Sequence, residues 1–226
     1  ACQFLVSYPV YFSMHVQDAD EVNGTAPNTV LVNGSHYLLE REKVDYQLGV
    51  SLRYQKLFEY QGQNVGSNVV LLGSYFIDET INVLKLVGNL DAVIFKGHPA
   101  INISVFRDVM GENIKVTNEN IYDLFPKTSL IIGSATGSLA EAIACGVSVV
   151  VVAQKHELIT NPLTDMGKGK MWDIAFNAIE IEQKMKKLLK FRTKNMDEIK
   201  GIANWYKDNL FIEPSKENIV KTFELK

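Results

Sequence analysis

From residue 68 to residue 152 the chain repeats one pattern, in which a short apolar run is followed by a stretch with helical spacing. Continuous apolar runs are typical of strands buried on both faces of a parallel sheet, and intervening helices make the crossovers that parallel strands need. The pattern predicts strands at 69–72, 92–95, 114–116, 129–132 and 147–152, with helices at 78–87, 101–110, 120–125 and 139–145. The fold class expected is α/β, a parallel sheet with helices on both faces.

The segments on either side of this repeat are less regular. Residues 1–67 show no period, and the patterns there predict strands at 10–12 and 29–32, a short helix at 53–60 and a linker from Gly62 to Asn68. After residue 153 a polar loop precedes helices predicted at 179–191, 197–209 and 216–225. We interpret 1–67 as the tail of an N-terminal domain plus linker, and 68–226 as a Rossmann-like domain with closing C-terminal helices.

Composition and charge exclude several classes of function. The formal net charge of −3 argues against a domain-wide preference for nucleic acid. Two cysteines make no disulfide framework, so a reduced, cytoplasmic setting is expected. The sequence has no C-x-x-C or H-E-x-x-H spacing, so no metal site is predicted. The first residues lack an initiator Met and a basic leader, and we expect the chain to be part of a longer protein.

Small, polar and basic residues follow the predicted strands. Ligands of such sheets bind beyond the carboxyl ends of the strands, and the residues found there are Gly73-Ser74, Lys96-Gly97-His98-Pro99, Gly133-Ser134 and Gln154-Lys155-His156. Lysine and histidine at a strand end suit a phosphate or a leaving group that needs charge stabilisation. A surface loop with an ordinary histidine is the alternative for 96–99. Pro99 is expected to begin the following helix.

The segment Gly133-Ser134-Ala135-Thr136-Gly137-Ser138 opens a predicted helix. A helix N-terminus offers unpaired amides and the positive end of the helix dipole, glycines permit close approach, and three hydroxyls add donors. The pattern favours a phosphate site. The competing interpretation is a capping box, in which Ser138 caps the helix and Glu141 only satisfies its first amides.

A basic run lies further along, from Lys184 to Arg192. One interpretation is an amphipathic helix that makes peripheral contact with an anionic membrane surface. The simpler interpretation is a solvated helix face whose residues Leu188, Leu189 and Phe191 are in the core.

Residues 119–152 resemble the C-terminal, donor-binding domain of GT-B glycosyltransferases. The likeness rests on Tyr122-Asp123, Ser134, Thr136-Gly137-Ser138 and the stretch from Glu141-Ala142 to Gly146-Val147-Ser148-Val149-Val150, in which Ser148 replaces the usual proline. His98-Pro99 together with Ser134, Thr136 and Ser138 also resembles motifs of bacterial sialyl- and polysialyltransferases and teichoic-acid polymerases. These resemblances imply surface polysaccharide synthesis at the cytoplasmic side of a membrane.

The resemblance also implies roles for individual residues. Gly73, Ser74, Gly133, Ser134, Thr136, Gly137, Ser138 and Tyr122 would form the nucleotide site, with Glu141 on the ribose hydroxyls. Lys96 and His98 would stabilise the departing phosphate. A nucleotide-activated sugar would be the donor and a glycan or lipid-linked molecule the acceptor, with no metal or other cofactor, and the acceptor domain would lie outside this chain. Two alternatives stay open, a nucleotide-sugar epimerase of the UDP-GlcNAc 2-epimerase type and a non-catalytic scaffold module with the same fold.

Overall fold

The structure is a computed structural model that describes residues 3–6, 18–60, 66–134, 136–153 and 161–224. It divides into two compact units, one formed by Ala1–Gln61 with Asn204–Lys226 and the other by Gly62–Ala203. The segment 204–226, which we assigned to the Rossmann-like domain, thus makes its contacts with the N-terminal unit. The interpretation of 1–67 as the tail of a larger domain stays a prediction.

The unit Gly62–Ala203 is built on a six-stranded parallel sheet. Its strands are β4 (Asn68–Leu72), β5 (Val93–Lys96), β6 (Ile114–Val116), β7 (Thr128–Gly133), β8 (Ser148–Val152) and β9 (Trp172–Ala175). They lie side by side in the order β6-β5-β4-β7-β8-β9. Its helices are α3 (Ile77–Val87), α4 (Ile121–Leu124), α5 (Ser138–Ala144) and α6 (Ala178–Lys194), and 3-10 turns cover Ile103–Val109 and Phe125–Lys127. The predicted α/β fold with a parallel sheet is confirmed.

The direction of the chain across this sheet places a switch point at its centre. From β4 the chain moves outward through β5 to β6, and it then returns to the other side of β4 and continues through β7 and β8 to β9. Right-handed crossovers that run in opposite directions put their helices on opposite faces, so α3 and α5 cover different sides. The strand order reverses between β4 and β7, and this is where open α/β sheets bind ligands.

The core explains why the apolar runs predicted the strands correctly. One face of the sheet packs against α3 and α6 through a cluster that includes Leu71, Leu84, Phe95, Ile132 and Leu188. Helix α5 is buried along its length from Leu139 to Ala144 and contacts β7 and β8. Strands that are covered on both faces have no side in solvent. Polar residues therefore do not alternate with apolar ones, and the sequences are continuously apolar.

Strand β9 lies in the part of the chain that we predicted to be a loop. Its carboxylate Asp173 is buried and accepts hydrogen bonds from Lys184 Nζ at 2.9 Å and Lys187 Nζ at 3.4 Å, both on α6. Burial alone would raise the pKa of Asp173. The hydrogen bonds that it accepts from Lys184, from the Ile174 backbone amide and from Lys187 outweigh this effect and hold the pKa below its ordinary value. The charge inside the strand is therefore paired, which a pattern of apolar residues does not reveal.

This ion pair makes the stability of the unit depend on pH. A carboxyl whose folded pKa is depressed stabilises the fold above its unfolded pKa of about 4, and the contribution is lost as the pH falls through the folded pKa. We expect Lys184→Met to lower the free energy of unfolding by about 1 kcal/mol at pH 7, with the difference from wild type vanishing towards pH 2. Urea unfolding at several pH values measures this. Lys186→Met, which removes an exposed pair with Glu182, is the control, and an equal loss at pH 7 in the control would contradict the prediction.

The other unit contains a three-stranded parallel sheet of β1 (Gln3–Val6), β2 (Thr29–Val32) and β3 (Asp45–Leu48). Its helices are α1 (Asp18–Val22), α2 (Gln55–Glu59) and α8 (Lys216–Phe223), with 3-10 turns at Ser35–Tyr37 and Leu52–Tyr54. Helix α7 (Met196–Leu210) spans the boundary between the units. The predicted strand at 29–32 is confirmed, and the predicted strand at 10–12 lies outside the described residues.

Hydrogen bonds and an aromatic contact join the C-terminal segment to the rest of this unit. Ser51 N donates to Ile212 O at 2.9 Å, and Ile212 N donates to Ser51 Oγ at 2.8 Å. The rings of Tyr54 and Phe211 meet edge to face at 4.9 Å. These contacts explain why residues after 203 group with the N-terminal ones.

Candidate functional site

The candidate site lies where β5, β4 and β7 end together. Leu72 of β4 is in register with Lys96 of β5 on one side and with Gly133 of β7 on the other. Three of the four predicted strand-end motifs therefore meet at one edge of the sheet, on both sides of the switch point. The fourth, at 154–156, lies outside the described residues.

Ser134 has a buried hydroxyl at the carboxyl end of β7. The residue is 6% exposed, and Ser134 Oγ has no hydrogen-bond partner among the described residues. A buried hydroxyl without a partner costs free energy, because folding removes the hydrogen bonds that water gave it. Among the described residues Ser134 Oγ is thus an unpaired donor at the switch point, and such a hydroxyl can donate a hydrogen bond to an anion.

Thr136 and Gly137 lead into α5. Thr136 N donates to Ser134 O at 2.8 Å, and Leu139 N donates to Thr136 O at 3.2 Å. Gly137, and not Ser138, occupies the cap position, with no side-chain capping hydrogen bond, and Ser138 is the first residue of the helix. The capping box that we considered, with Ser138 as the cap, is not formed.

Glu141 and Tyr122 form a hydrogen-bonded pair. Tyr122 Oη donates to Glu141 Oε2 at 2.5 Å, and Glu141 is buried. Asn120 positions the tyrosine, because its Oδ1 accepts from the Tyr122 amide at the start of α4. The two residues were predicted separately as nucleotide contacts, and the structure brings them together. A buried carboxylate held in this way can accept hydrogen bonds from a pair of vicinal hydroxyls.

His98 lies on the other side of β4, in the turn that follows β5. His98 Nδ1 accepts from the Ala100 amide at 3.2 Å, so the neutral imidazole carries its proton on Nε2. His98 O accepts from Ile101 N at 2.9 Å, which closes a β-turn with Pro99 in its second position. Pro99 does not begin a helix as predicted, since the 3-10 turn starts at Ile103 with Asn102 as its cap. Lys96 is the last residue of β5 itself and is half-buried.

Gly73 seats the His98 turn against the end of β4. A Cβ atom built on Gly73 would lie 3.2 Å from His98 N and 3.3 Å from the Gly97 Cα atom. The absent side chain thus faces the neighbouring turn, and the close approach of a phosphate to Gly73 stays a prediction. The glycine at this position lets two strand ends come close enough to share a ligand.

Replacing Gly73 with alanine should displace the backbone of His98. Because the neighbouring backbone must move by a few tenths of an ångström, we expect a loss of about 1 kcal/mol in the free energy of unfolding. Urea unfolding of the variant measures this loss. Gly201→Ala, where an added Cβ meets no atom within 4 Å inside helix α7, is the control and should be neutral or slightly stabilising. Wild-type stability in Gly73→Ala would contradict this account of the glycine.

Ser74, also predicted as a nucleotide contact, is engaged inside its own turn. Ser74 N donates to Thr80 Oγ1 at 3.0 Å, and Ser74 Oγ interacts with the Phe76 carbonyl and amide, each at 3.0 Å. Ser74 is fully buried, and we now interpret it as a residue that holds the turn. Thr80, the partner that completes this network, was not predicted. A threonine six residues after a strand-end serine could have indicated it.

Two kinds of feature are missing from the described residues. They contain no group of three His, Cys, Asp or Glu side chains arranged to hold a metal ion. In the same part of the chain, no helix has the length and apolar character needed to cross a membrane.

Comparison with known proteins gives structural matches only. No protein-family model and no curated protein matches the sequence. The glycotransferase of kitacinnamycin is similar with a TM-score of 0.54 and 11% identity over 93% of this chain and 56% of that one. TarM is similar with a TM-score of 0.51 and 14% identity over 98% of this chain and 49% of that one. The wall teichoic acid polymerase TagF is matched at 0.46, with 12% identity over 87% of this chain and 56% of that one.

The chain thus spans about half the length of the solved chains that it matches. At these identities the similarity establishes the fold alone, and that fold agrees with the resemblance of residues 119–152 to GT-B enzymes. The fold of this chain is that of GT-B glycosyltransferases.

Proposed function

We propose that the chain binds a nucleotide-activated sugar at the carboxyl edge of β5, β4 and β7, as the donor-binding part of a GT-B glycosyltransferase. The observation that carries the proposal is the buried hydroxyl of Ser134, which has no hydrogen-bond partner among the described residues and lies where the strand order reverses. A phosphate oxygen is the natural acceptor for such a hydroxyl, and a charged acceptor makes that hydrogen bond stronger.

We expect the polar groups along this edge to bind successive groups of the donor. The Glu141 carboxylate would accept hydrogen bonds from the ribose hydroxyls, with Tyr122 holding it in place. Ser134 and the amides of the turn up to Ser138, with Thr136 and Gly137, would bind the phosphates. His98, through Nε2–H, and Lys96 would donate to the phosphate that departs from the anomeric carbon.

The wider role follows from the resemblance of these motifs to enzymes of bacterial surface polysaccharide synthesis. A glycan or lipid-linked acceptor, presented at the cytoplasmic side of a membrane, would be bound by a separate acceptor domain. Charge on the leaving phosphate would be neutralised by side chains and amides, without a metal or another cofactor. EDTA should then leave nucleotide binding unchanged.

A thermal-shift panel with UMP, UDP, CMP and CDP tests the proposal. A ligand at 100 times its dissociation constant adds about 2.7 kcal/mol to the stability of the state it binds, which for a chain of this size raises the melting temperature by about 5–10 °C. We expect such a rise with at least one of the four nucleotides. No rise, together with no heat of binding in calorimetry, would contradict the proposal and favour a scaffold module. Conversion of UDP-GlcNAc without any acceptor would favour an epimerase.

A further inference from the structure

Two large aromatic side chains stand in solvent immediately after β4. Tyr75 is 62% exposed and Phe76 is 51% exposed, and their rings meet edge to face at 6.0 Å. Keeping such side chains in water forgoes the free energy that their burial would provide. Neighbouring exposed aromatics next to a candidate site are therefore informative in a way that single exposed side chains are not.

The turn that presents these rings is held by its own hydrogen bonds. Ser74 is buried beneath it, with its amide bound to Thr80 Oγ1 and its hydroxyl bound to the Phe76 backbone. Thr80 Oγ1 also donates to Phe76 O at 3.2 Å. This network and helix α3 fix the backbone on both sides of Tyr75, so ordering the turn costs little conformational entropy when a ligand packs on the ring.

The position of Tyr75 in the site determines which part of a bound ligand its ring can contact. Its ring contacts the ring of His98 edge to face at 5.7 Å, which places it on the β5 side of the switch point. The Glu141–Tyr122 pair lies on the β7 side. If Glu141 binds the ribose and His98 the departing phosphate, the group that continues past His98 towards Tyr75 is the sugar bonded to that phosphate.

We propose that Tyr75 is a specificity-determining residue that stacks on the sugar to be transferred. The axial C–H groups of a pyranose form an apolar, slightly positive face that suits the negative face of an aromatic ring. Donors with such a face, of the hexopyranose type, are the substrate class that this contact selects. The inference rests on the proposed function, since it takes the orientation of the donor from Glu141 and His98.

The experiment compares a nucleotide with its sugar conjugate in the full chain. Calorimetry gives affinities for UDP, UDP-glucose, UDP-N-acetylglucosamine, CMP and CMP-N-acetylneuraminate, and saturation-transfer NMR reports which ligand protons touch the protein. We expect wild type to bind one conjugate about fivefold more tightly than its nucleotide, which equals about 1 kcal/mol. Tyr75→Ala should abolish this gain and the saturation transfer to the sugar protons, with affinity for the bare nucleotide kept within twofold.

Two further variants control for general effects. Tyr75→Phe keeps the ring face and should keep the gain. Val116→Ala removes an exposed apolar side chain at the end of β6, on the same edge of the sheet, and should change neither affinity.

The outcomes separate this inference from the proposed function. If wild type binds no nucleotide, the proposed function fails and the inference fails with it. If nucleotides bind but no conjugate gains affinity, or Tyr75→Ala leaves the gain intact, only the role of Tyr75 is overturned. An equal loss for nucleotide and conjugate in Tyr75→Ala would overturn it too, since the ring would then contact the nucleotide itself.

Discussion

Replacing Ser134 with alanine should raise the free energy of unfolding and weaken the affinity for nucleotide. The hydroxyl is buried and has no partner among the described residues, so its removal relieves a desolvation cost and should raise the free energy of unfolding by up to about 1 kcal/mol. If the hydroxyl donates to a phosphate, its loss removes a hydrogen bond to a charged group. That bond contributes about 2 kcal/mol, so we expect about a 30-fold weaker affinity.

The chain provides a matched control for this prediction. Ser148 Oγ is also buried and has no partner in the part of the chain that the structure describes, but Ser148 is the first residue of β8 and lies at the opposite end of the strands. Ser148→Ala should stabilise the fold to a similar extent and leave nucleotide affinity unchanged. Urea unfolding and calorimetry on both variants give the comparison. A Ser134→Ala protein that is less stable and binds normally would contradict the role of this hydroxyl.

The second large effect is expected at Glu141. Glu141→Gln keeps the shape of the side chain but removes the charge that would accept the two ribose hydroxyls, and we expect about a 100-fold loss of nucleotide affinity. Inorganic pyrophosphate has no ribose, so its affinity should change by less than about threefold. Calorimetry with UDP or CDP beside pyrophosphate separates the two contributions.

Tyr122→Phe tests how the carboxylate is positioned. It removes the donor that fixes Glu141 Oε2 and leaves the charge in place, and we expect a smaller loss for nucleotide, about fivefold. Glu119→Gln, which removes a surface carboxylate paired with Lys127, serves as the control and should bind like wild type. An equal loss for nucleotide and pyrophosphate in Glu141→Gln would mean that the substitution disrupts the loop rather than a ribose contact.

Much of the sheet could be predicted because its strands are buried on both faces. The apolar runs of β4, β7 and β8 identify strands without any tertiary information. Strand β9 was missed because Asp173 interrupts its apolar pattern, and this charge is balanced by two lysines on α6 that lie further along the sequence. Edge strand β3 was missed for a related reason, since its residues Asp45 to Leu48 are largely exposed and carry no apolar run.

The candidate site could be predicted as a set of strand ends, but not as an arrangement of contacts. Gly73, His98 and Ser134 follow three apolar runs, and parallel strands bring such ends to one edge. The pairing of Tyr122 with Glu141 depends on how α4 and α5 pack beside β7, which no local pattern encodes. Pro99 was assigned to a helix because proline suits both a helix start and a turn, and only the hydrogen bond from Ile101 distinguishes them.

The most direct test of a donor site at the switch point is to map nucleotide binding residue by residue. Amide chemical shifts of the isotope-labelled chain, recorded by NMR during titration with UDP and with CDP, report which backbone groups sense the ligand. We expect the largest saturable shifts at Gly73, His98, Ser134, Thr136 and Gly137, and small ones in the sheet formed by β1, β2 and β3. Saturable shifts confined to that three-stranded sheet, or none at millimolar nucleotide, would contradict the account.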